Sequence, residues 1–564
     1  MRWSFLVLVA ILVFDVWYRA HTFAPTVVEA TGVNLWPATV GPSEPLDCDE
    51  AIYAHMGRRL LAGDVLYRDL TENKPPLGYW LYATPIALFG YNELAIRLFP
   101  IPYVLGTIAL LWWIGLKLSG PAAGCIAAAV YAIVSTDPYL YGNGSNLEHQ
   151  MNFFSVASLA LILLGWTRKT LWPLALAGVC LGAATLVKQV AVLPIIVYGA
   201  AVLAIPTKSR AKDLAALTFG LGLVLLLAAA VLIAQGAGVS AYDDIFRFGR
   251  AMATDTLPEP GAPSAWVRWL TGNADPTGKL PWPFGNTNYL VWWATGSWPL
   301  WLAAAPCIAH LALGPNGSAG RKLVAAWTVA AGVQVVLPGL YWAHYYLLPT
   351  PGIAVAAAVT LTDCLAAVRK RFRFADLGGV VVVLAAILGT AFLQVRDYLL
   401  CPPQELTIRY KGGGQWVFLR RLGLELAQRS KLWEHPTLYV WGWQSPLHFY
   451  GKLDGASRHL FVDNLLRDQA ERDHPLIKPR VEEILRDLRT HPPALIFAGY
   501  PPFPALRAFL FENYMPTNLP GTFFEKSLPS TQAQTQSGIG LWVEKSKYRA
   551  FEQAHAPQSG SFTY

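Results

Sequence analysis

Apolar residues run along this chain in blocks separated by short polar stretches, and do not alternate as they would in a half-buried strand. Residues 217–234 and 379–393 hold neither a charge nor a proline. A bilayer core takes about 20 apolar residues as a helix, and blocks of this size approach that length. The pattern predicts spans near residues 5–17, 77–89, 98–114, 122–134, 154–164, 171–187, 190–205, 217–233, 289–309, 323–341, 346–359 and 380–392. A loop rich in Gly, Pro and Asp, residues 235–281, interrupts the series.

Charge orients the series. The clusters Arg168-Lys169, Lys208 to Lys212, Arg321-Lys322 and Arg369 to Arg373 all fall between apolar blocks. Counting crossings from Lys169 onward puts each on one side, the cytoplasmic one by the positive-inside rule. The first block follows a lone Arg2 and lacks a small-x-small cleavage site, so an uncleaved first helix is expected rather than a signal peptide. With the N-terminus cytoplasmic, residues 19–76 face outward, as does everything after about residue 395. Parity fails early: if every block before Lys169 crosses once, Lys169 lands outside. One early block is therefore expected to be re-entrant or interfacial.

The chain changes character from Val395. Charges become frequent and apolar runs shorten to strand length. Residues 438–441 and 494–497 read as buried strands, and 420–428 and 481–489 as amphipathic helices. This alternation predicts an α/β domain over 395–564, ending in a Gly/Ser tail at 559–561, after a multi-span module over 1–394. No internal repeat is evident.

Composition strengthens this picture. Of 564 residues, 54% are hydrophobic and 14% charged, against roughly a quarter charged in an ordinary soluble domain. Mean hydropathy is +0.35. One soluble core could not hold so many apolar runs. The 22 tryptophans, 24 tyrosines and 41 prolines suit interfacial belts and broken helices. The net charge of +8 lies in the loop clusters and does not point to nucleic acid. The six cysteines form no metal pattern. Cys125, Cys180, Cys307 and Cys364 read as small apolar fillers. Cys48 and Cys401 fall on the same outer side, where a disulfide is chemically allowed but unsupported by spacing.

Candidate chemistry concentrates in four places. The first outer loop, 20–76, carries Asp47-Cys48-Asp49-Glu50 before a short helix over 51–61, then Glu72-Asn73-Lys74-Pro75-Pro76. Carboxylates at a helix start are also ordinary caps, so capping and chemistry stand as equal readings. A second polar cluster, residues 142–150, contains Glu148 and otherwise reads as a connecting loop. Lys188 stands alone between two apolar blocks, where it either snorkels or serves a site. His344 and Tyr345, flanked by aromatics, open a late span and otherwise read as interfacial anchors. Carboxylates and scattered cations at one membrane face suit an anionic, lipid-linked substrate. Cations would hold phosphate and a carboxylate would deprotonate an acceptor.

These segments resemble a family. Asp49-Glu50 with Tyr53-Ala54, then Lys74-Pro75-Pro76-Leu77 and Tyr79-Trp80, look like the first outer loop of the GT-C membrane glycosyltransferases. The nearest branch holds the protein O-mannosyltransferases and the aminoarabinose transferases of lipid A. The likeness continues through Phe89-Gly90, Glu93, Arg97-Leu98, Lys188, and His344 to Pro349. It reaches Val440 to Trp443, Pro446, Tyr450 and Ser457-Arg458, and so touches most of the chain. Asn73 departs from it, since some relatives carry Glu immediately before the lysine.

The resemblance implies a mainly α polytopic GT-C fold with an exoplasmic C-terminal α/β domain, in a bacterial cytoplasmic membrane. It implies transfer of a sugar from a polyprenyl-phosphate donor to a lipid, glycan or protein acceptor, with inversion. Asp49 would activate the acceptor, with Glu50 beside it. Lys74, Lys188, His344, Tyr345 and Glu148 would contact donor phosphate or sugar. No cofactor is fixed: the carboxylates could hold a divalent metal, but no compact ligand set enforces one. A transporter or flippase of a lipid-linked saccharide is the rival reading, and it would give Asp49 no chemical step.

Overall fold

The computed structural model describes residues 2–204, 210–248, 295–314, 317–462, 465–466, 470–471, 473–517 and 538–554. Of the loop expected over 235–281, residues 249–281 lie outside them, as do the start of the span at 289–294, part of the basic cluster at 208–209 and the tail at 559–561, while the described part of that loop forms the helical turns Gly238–Tyr242 and Asp243–Phe248. The chain divides into two compact units. One comprises residues 1–44, 74–238 and 249–411; the other comprises 45–73, 239–248 and 412–564.

The first unit is helical. Among the described residues, six helical segments are long and apolar enough to cross a membrane: Arg2–Thr31, Glu93–Ser119, Leu147–Arg168, Arg210–Ala234, Ala343–Lys370 and Phe374–Leu399. The polytopic expectation is borne out. Leu77–Phe89, Pro121–Val134, Trp172–Val187, Gln189–Ala204 and Trp298–Leu313 are shorter apolar helices. At 1.5 Å per residue the 13-residue helix Leu77–Phe89, with Pro85 inside it, is about 20 Å long, short of a core of about 30 Å.

Several expected boundaries move. The span expected to reach residue 341 stops at Val336: Leu337 still has helical angles and donates to the Val333 carbonyl, but Pro338 has no amide to continue the ladder. The polar cluster 142–150 is only partly a loop. A helix begins at Leu147, so Glu148, His149 and Gln150 occupy its first turn, where a carboxylate complements the helix dipole. The apolar stretch 171–205 is broken at Lys188, whose extended backbone (φ −146°, ψ 133°) ends one helix before the single turn Gln189–Ala191 and the helix Val192–Ala204.

Lipid offers little hydrophobic drive between helices, so close packing of small residues holds such a bundle. Trp172–Val187 and Arg210–Ala234 meet at paired glycines. A Cβ on Gly220 would lie 1.9 Å from the Ala175 carbonyl oxygen, and one on Gly178 would lie 2.0 Å from that of Leu217. Backbone atoms cannot yield as a side-chain tip can. Gly220→Ala is therefore expected to cost about 1–3 kcal/mol by overpacking, visible as a lower thermal midpoint in detergent. An unchanged midpoint would mean the helices separate without cost.

The second unit is α/β, as expected for the C-terminal region. Strands β1 (Thr437–Trp441), β2 (Asp454–Gly455), β3 (Leu495–Ala498), β4 (Tyr514–Pro516) and β5 (Gly540–Glu544) form one sheet in the order β2-β1-β3-β5-β4. β1 pairs parallel with β2 and β3, and β5 antiparallel with β3 and β4. β3 is buried throughout, which explains its unbroken apolar run. The helix Lys478–Thr490 buries Val481, Ile484 and Leu488, a helical i, i+3, i+7 stripe. Gln415–Arg429 likewise buries Trp416, Leu419, Leu422 and Leu426. All six cysteines are free thiols.

Candidate functional site

Four of the seven nominated residues converge inside the helical unit. Glu148, in the first turn of Leu147–Arg168, is fully buried. Its Oε1 is ion-paired with Lys188 Nζ and lies 3.9 Å from His344 Nε2. Lys188 is 6% exposed, and its ammonium sits 5.0 Å from the centroid of the Tyr345 ring. The His344 and Tyr345 rings meet edge-on at 4.8 Å, on the turn Ala343–Leu347. That turn is tied to the Glu148 helix, because Asn152 Nδ2 donates to the Leu347 carbonyl at 2.9 Å. The break after Val187 lets the Lys188 side chain reach Glu148, forty residues earlier. Two ions removed from water are tolerated only as a pair, and Glu148 Oε2 has no hydrogen-bond partner among the described residues.

A second group in the same unit, which the sequence analysis missed, supports the loop before Glu148. Glu44 is fully buried; its Oε1 lies 3.0 Å from Lys411 Nζ, and its Oε2 accepts from Asn143 Nδ2 at 2.6 Å. Arg97 Nη2 donates to the Glu44 carbonyl at 3.1 Å. Lys411 sits 5.4 Å from the Tyr141 ring centroid, and Tyr141 lies 6.1 Å from the His344 ring. The Gly142 carbonyl accepts from Arg19 Nη1 at 2.7 Å and from His149 Nε2 at 2.8 Å. Glu44 lies in a Gly/Pro/Ser stretch and Lys411 precedes three glycines, so no local pattern marked either. Lys74 is partly exposed in the bend before the helix Leu77–Phe89.

Asp49 and Glu50 belong to the α/β unit, on the helix Cys48–Leu61. Asp47 is its N-cap: Asp47 Oδ1 accepts from the Glu50 amide at 3.0 Å, and Glu50 Oε2 accepts from the Asp47 amide at 3.1 Å. This is a capping box, which satisfies amides that have no partner within the helix. The capping and functional readings thus fall on different carboxylates: Asp47 and Glu50 hold the helix start, and Asp49 occupies its first turn, half-buried.

C-terminal residues hold this segment at both ends, Tyr450 and Arg458 of the resemblance among them. Tyr450 Oη accepts from the Leu46 amide at 2.8 Å, and Ser445 Oγ donates to the Cys48 carbonyl at 2.6 Å. Further along, the Thr71 amide donates to the Arg458 carbonyl at 2.9 Å, and Arg458 Nη1 donates to the Tyr67 carbonyl at 2.9 Å. Arg458 also forks onto Glu483 at 2.8 and 2.9 Å.

Two buried histidines lie ring against ring in the α/β unit, His55 of the helix Cys48–Leu61 tilted on His448 at 4.9 Å between centroids. Burial pushes both imidazoles down, His448 to about 4 and His55 well below its usual value, with His448 itself adding to the shift at His55. Both are neutral in the fold, whereas the unfolded chain protonates near the ordinary value of about 6.5. Their contribution is complete above that value and lost as pH falls toward 4. For His448 it is about 3 kcal/mol. The thermal midpoint should fall between pH 7 and pH 4, and His448→Gln should flatten that dependence; an equally steep profile in the variant would exclude His448 as its origin.

Among the described residues no three His, Cys, Asp or Glu side chains gather as a metal site would require.

Residues 73–233 match the family model described as dolichyl-phosphate-mannose-protein mannosyltransferase. No curated protein sequence matches the chain. Among solved structures it is similar to the oligosaccharyltransferase AglB from Archaeoglobus fulgidus, in complex with an inhibitory peptide and a dolichol-phosphate. That match has 13% identity and a TM-score of 0.52, covering 88% of this chain and 69% of the other. It is also similar to ArnT from Cupriavidus metallidurans bound to undecaprenyl phosphate, at 16% identity and a TM-score of 0.50, covering 90% and 94%. The chain has a GT-C fold, and across residues 73–233 it resembles the dolichyl-phosphate-mannose-protein mannosyltransferases.

Proposed function

We propose that this protein transfers a sugar from a polyprenyl-phosphate carrier to a lipid, glycan or protein acceptor at the outer face of a bacterial cytoplasmic membrane. The observation that carries the reading is the buried cluster of Glu148, Lys188, His344 and Tyr345. Two of its members lie within the stretch that matches the mannosyltransferase model. Solved proteins of similar fold hold dolichol-phosphate and undecaprenyl phosphate, which supports a lipid-phosphate ligand here. The N-terminus is cytoplasmic in this reading, and the α/β unit lies outside.

In the reaction Asp49 takes the proton of the acceptor hydroxyl or amine. The freed lone pair attacks the anomeric carbon on the face opposite the phosphate. The carbon–oxygen bond to phosphate breaks with its electron pair, leaving polyprenyl phosphate and an inverted linkage. This leaving group is already a stable anion, so it needs charge stabilisation more than an acid. Lys74 and Lys188 supply that charge, with His344 and Tyr345 shaping the pocket around it. Glu148 keeps the Lys188 ammonium in place before the donor arrives.

The test uses radiolabelled polyprenyl-phosphate sugars of several kinds, the full chain in vesicles and native lipid extract as acceptor. Label moving to an acceptor gives the reaction class and the donor sugar. Labelled lipid that crosses the bilayer with no transfer from any donor would replace this reading with the flippase.

A further inference from the structure

Tyr141 belongs to the helical unit and stands in residues 135–146, which join the helices Pro121–Val134 and Leu147–Arg168. Its backbone is left-handed, at φ 58°. A Cβ makes that conformation costly, whereas glycine adopts it freely. The Tyr141 amide donates to the Pro138 carbonyl at 3.1 Å. Its own carbonyl accepts from the Gly144 amide at 3.0 Å and from Asn146 Nδ2 at 2.7 Å. Strain persists where the surroundings over-determine it in this way, and it clusters where ligands are held.

The side chain gives that strain a purpose. Residues 142–152 are all buried, but Tyr141 is partly exposed, as are His344 and Tyr345. Their rings run in series, 6.1 Å from Tyr141 to His344 and 4.8 Å from His344 to Tyr345, each contact edge-on. A buried lysine backs either end: Lys411 lies over Tyr141 at 5.4 Å, and Lys188 over Tyr345 at 5.0 Å. Each lysine is paired with its own buried glutamate, Glu44 and Glu148. One face of each tyrosine is thus taken by a cation. The rest of the series is an aromatic surface with a few polar groups, the usual lining of a ligand site.

In the proposed reaction the donor phosphate meets Lys188, at the Tyr345 end. What reaches Tyr141, beyond His344, is then a group bonded to that phosphate: the polyprenyl chain or the sugar. The chain belongs in the hydrocarbon, whereas the irregular backbone of residues 135–146 belongs at the membrane surface. A sugar fits, with its C–H face against a ring and its hydroxyls toward water and the polar edges of Tyr141 and His344. We infer that Tyr141 is a specificity-determining residue that receives the sugar ring of the donor. Such a role presupposes the polyprenyl-phosphate sugar of the proposed reaction.

The experiment titrates the purified full chain in detergent with labelled undecaprenyl phosphate and with undecaprenyl-phosphate sugars of several kinds. Wild type should hold at least one sugar-bearing lipid more tightly than the bare phosphate. Tyr141→Gly and Tyr141→Asn both suit a left-handed backbone. Each should weaken the sugar-bearing lipid about tenfold and leave undecaprenyl phosphate within about twofold of wild type. Tyr141→Phe keeps the ring and should keep the preference. Tyr141→Gly also relieves the backbone, so it tests the ring even where Tyr141→Asn fails to fold. No preference in wild type, or an equal loss for both lipids in Tyr141→Gly, overturns the inference. So does a preference unchanged in Tyr141→Gly or lost in Tyr141→Phe. A Tyr141-dependent preference without transfer from any donor would sink the transferase reading alone. Transfer with a sugar preference indifferent to the residue at 141 would sink this site alone.

Discussion

Asp49→Asn should lower sugar transfer by about 10²–10⁴-fold while leaving donor binding and the thermal midpoint close to wild type. The rate loss follows from the role: a positioned general base contributes on that scale, and an amide cannot take the acceptor's proton. The preserved fold follows from the capping box. Asp47 and Glu50 satisfy each other's amides, so the helix start does not depend on Asp49. Its charge at the positive end of the helix is worth only about 0.3–1 kcal/mol. The measurement compares initial transfer rates and retention of labelled donor in the two proteins. Full activity in the variant would place the base elsewhere. Loss of donor binding together with activity would make Asp49 part of the donor site.

Lys188→Met should be the most damaging single change in the helical unit, lowering stability by about 3–5 kcal/mol and abolishing transfer. The cost is that of stranding Glu148, fully buried, without its counter-ion. Adding Glu148→Gln should recover much of the stability, since removing both charges of a buried pair is far cheaper than removing one. It should not recover transfer, because in the proposed reaction Lys188 is the lysine that meets the donor phosphate. Thermal unfolding of the two single variants and the double, set beside their transfer rates, separates the roles. A double variant no more stable than Lys188→Met would show that the two residues act independently.

Much of the architecture was legible because lipid imposes simple rules on sequence. The block at 77–89 coincides with a helix, the break at Lys188 sits where the apolar run is interrupted, and the two strands expected near 438–441 and 494–497 fall within a residue of those places, while β2, β4 and β5 were not foreseen. Lys188 stood out as a lone cation between apolar blocks, Glu148 as part of a polar cluster between spans, and His344 and Tyr345 as an aromatic-flanked pair at the start of a span. Their convergence did not, since periodicity reports a residue's own helix and not which distant helix it meets. The carboxylates at 47–50 posed a different difficulty. Capping and catalysis select the same residue types at the same place, and only hydrogen-bond geometry divides them. Nor did any local signal announce that Pro45–Asn73 folds with the C-terminal sheet. Those ties run through Tyr450, Ser445 and Arg458, hundreds of residues away.

The Glu148–Lys188 pair also has a polarity. Glu148 sits in the first turn of Leu147–Arg168, where unpaired amides leave partial positive charge; Lys188 is the C-cap of Trp172–Val187, where unpaired carbonyls leave partial negative charge. Each ion therefore has two partners, the other side chain and the end of a helix. Exchanging the charges, Glu148→Lys with Lys188→Glu, would rebuild the side-chain pair yet set both ions against like poles. Such a protein should remain about 1–2 kcal/mol less stable than wild type. The backbone has chosen which end of the pair is the cation, and in the proposed reaction the donor phosphate meets a lysine already supported from behind by a helix terminus.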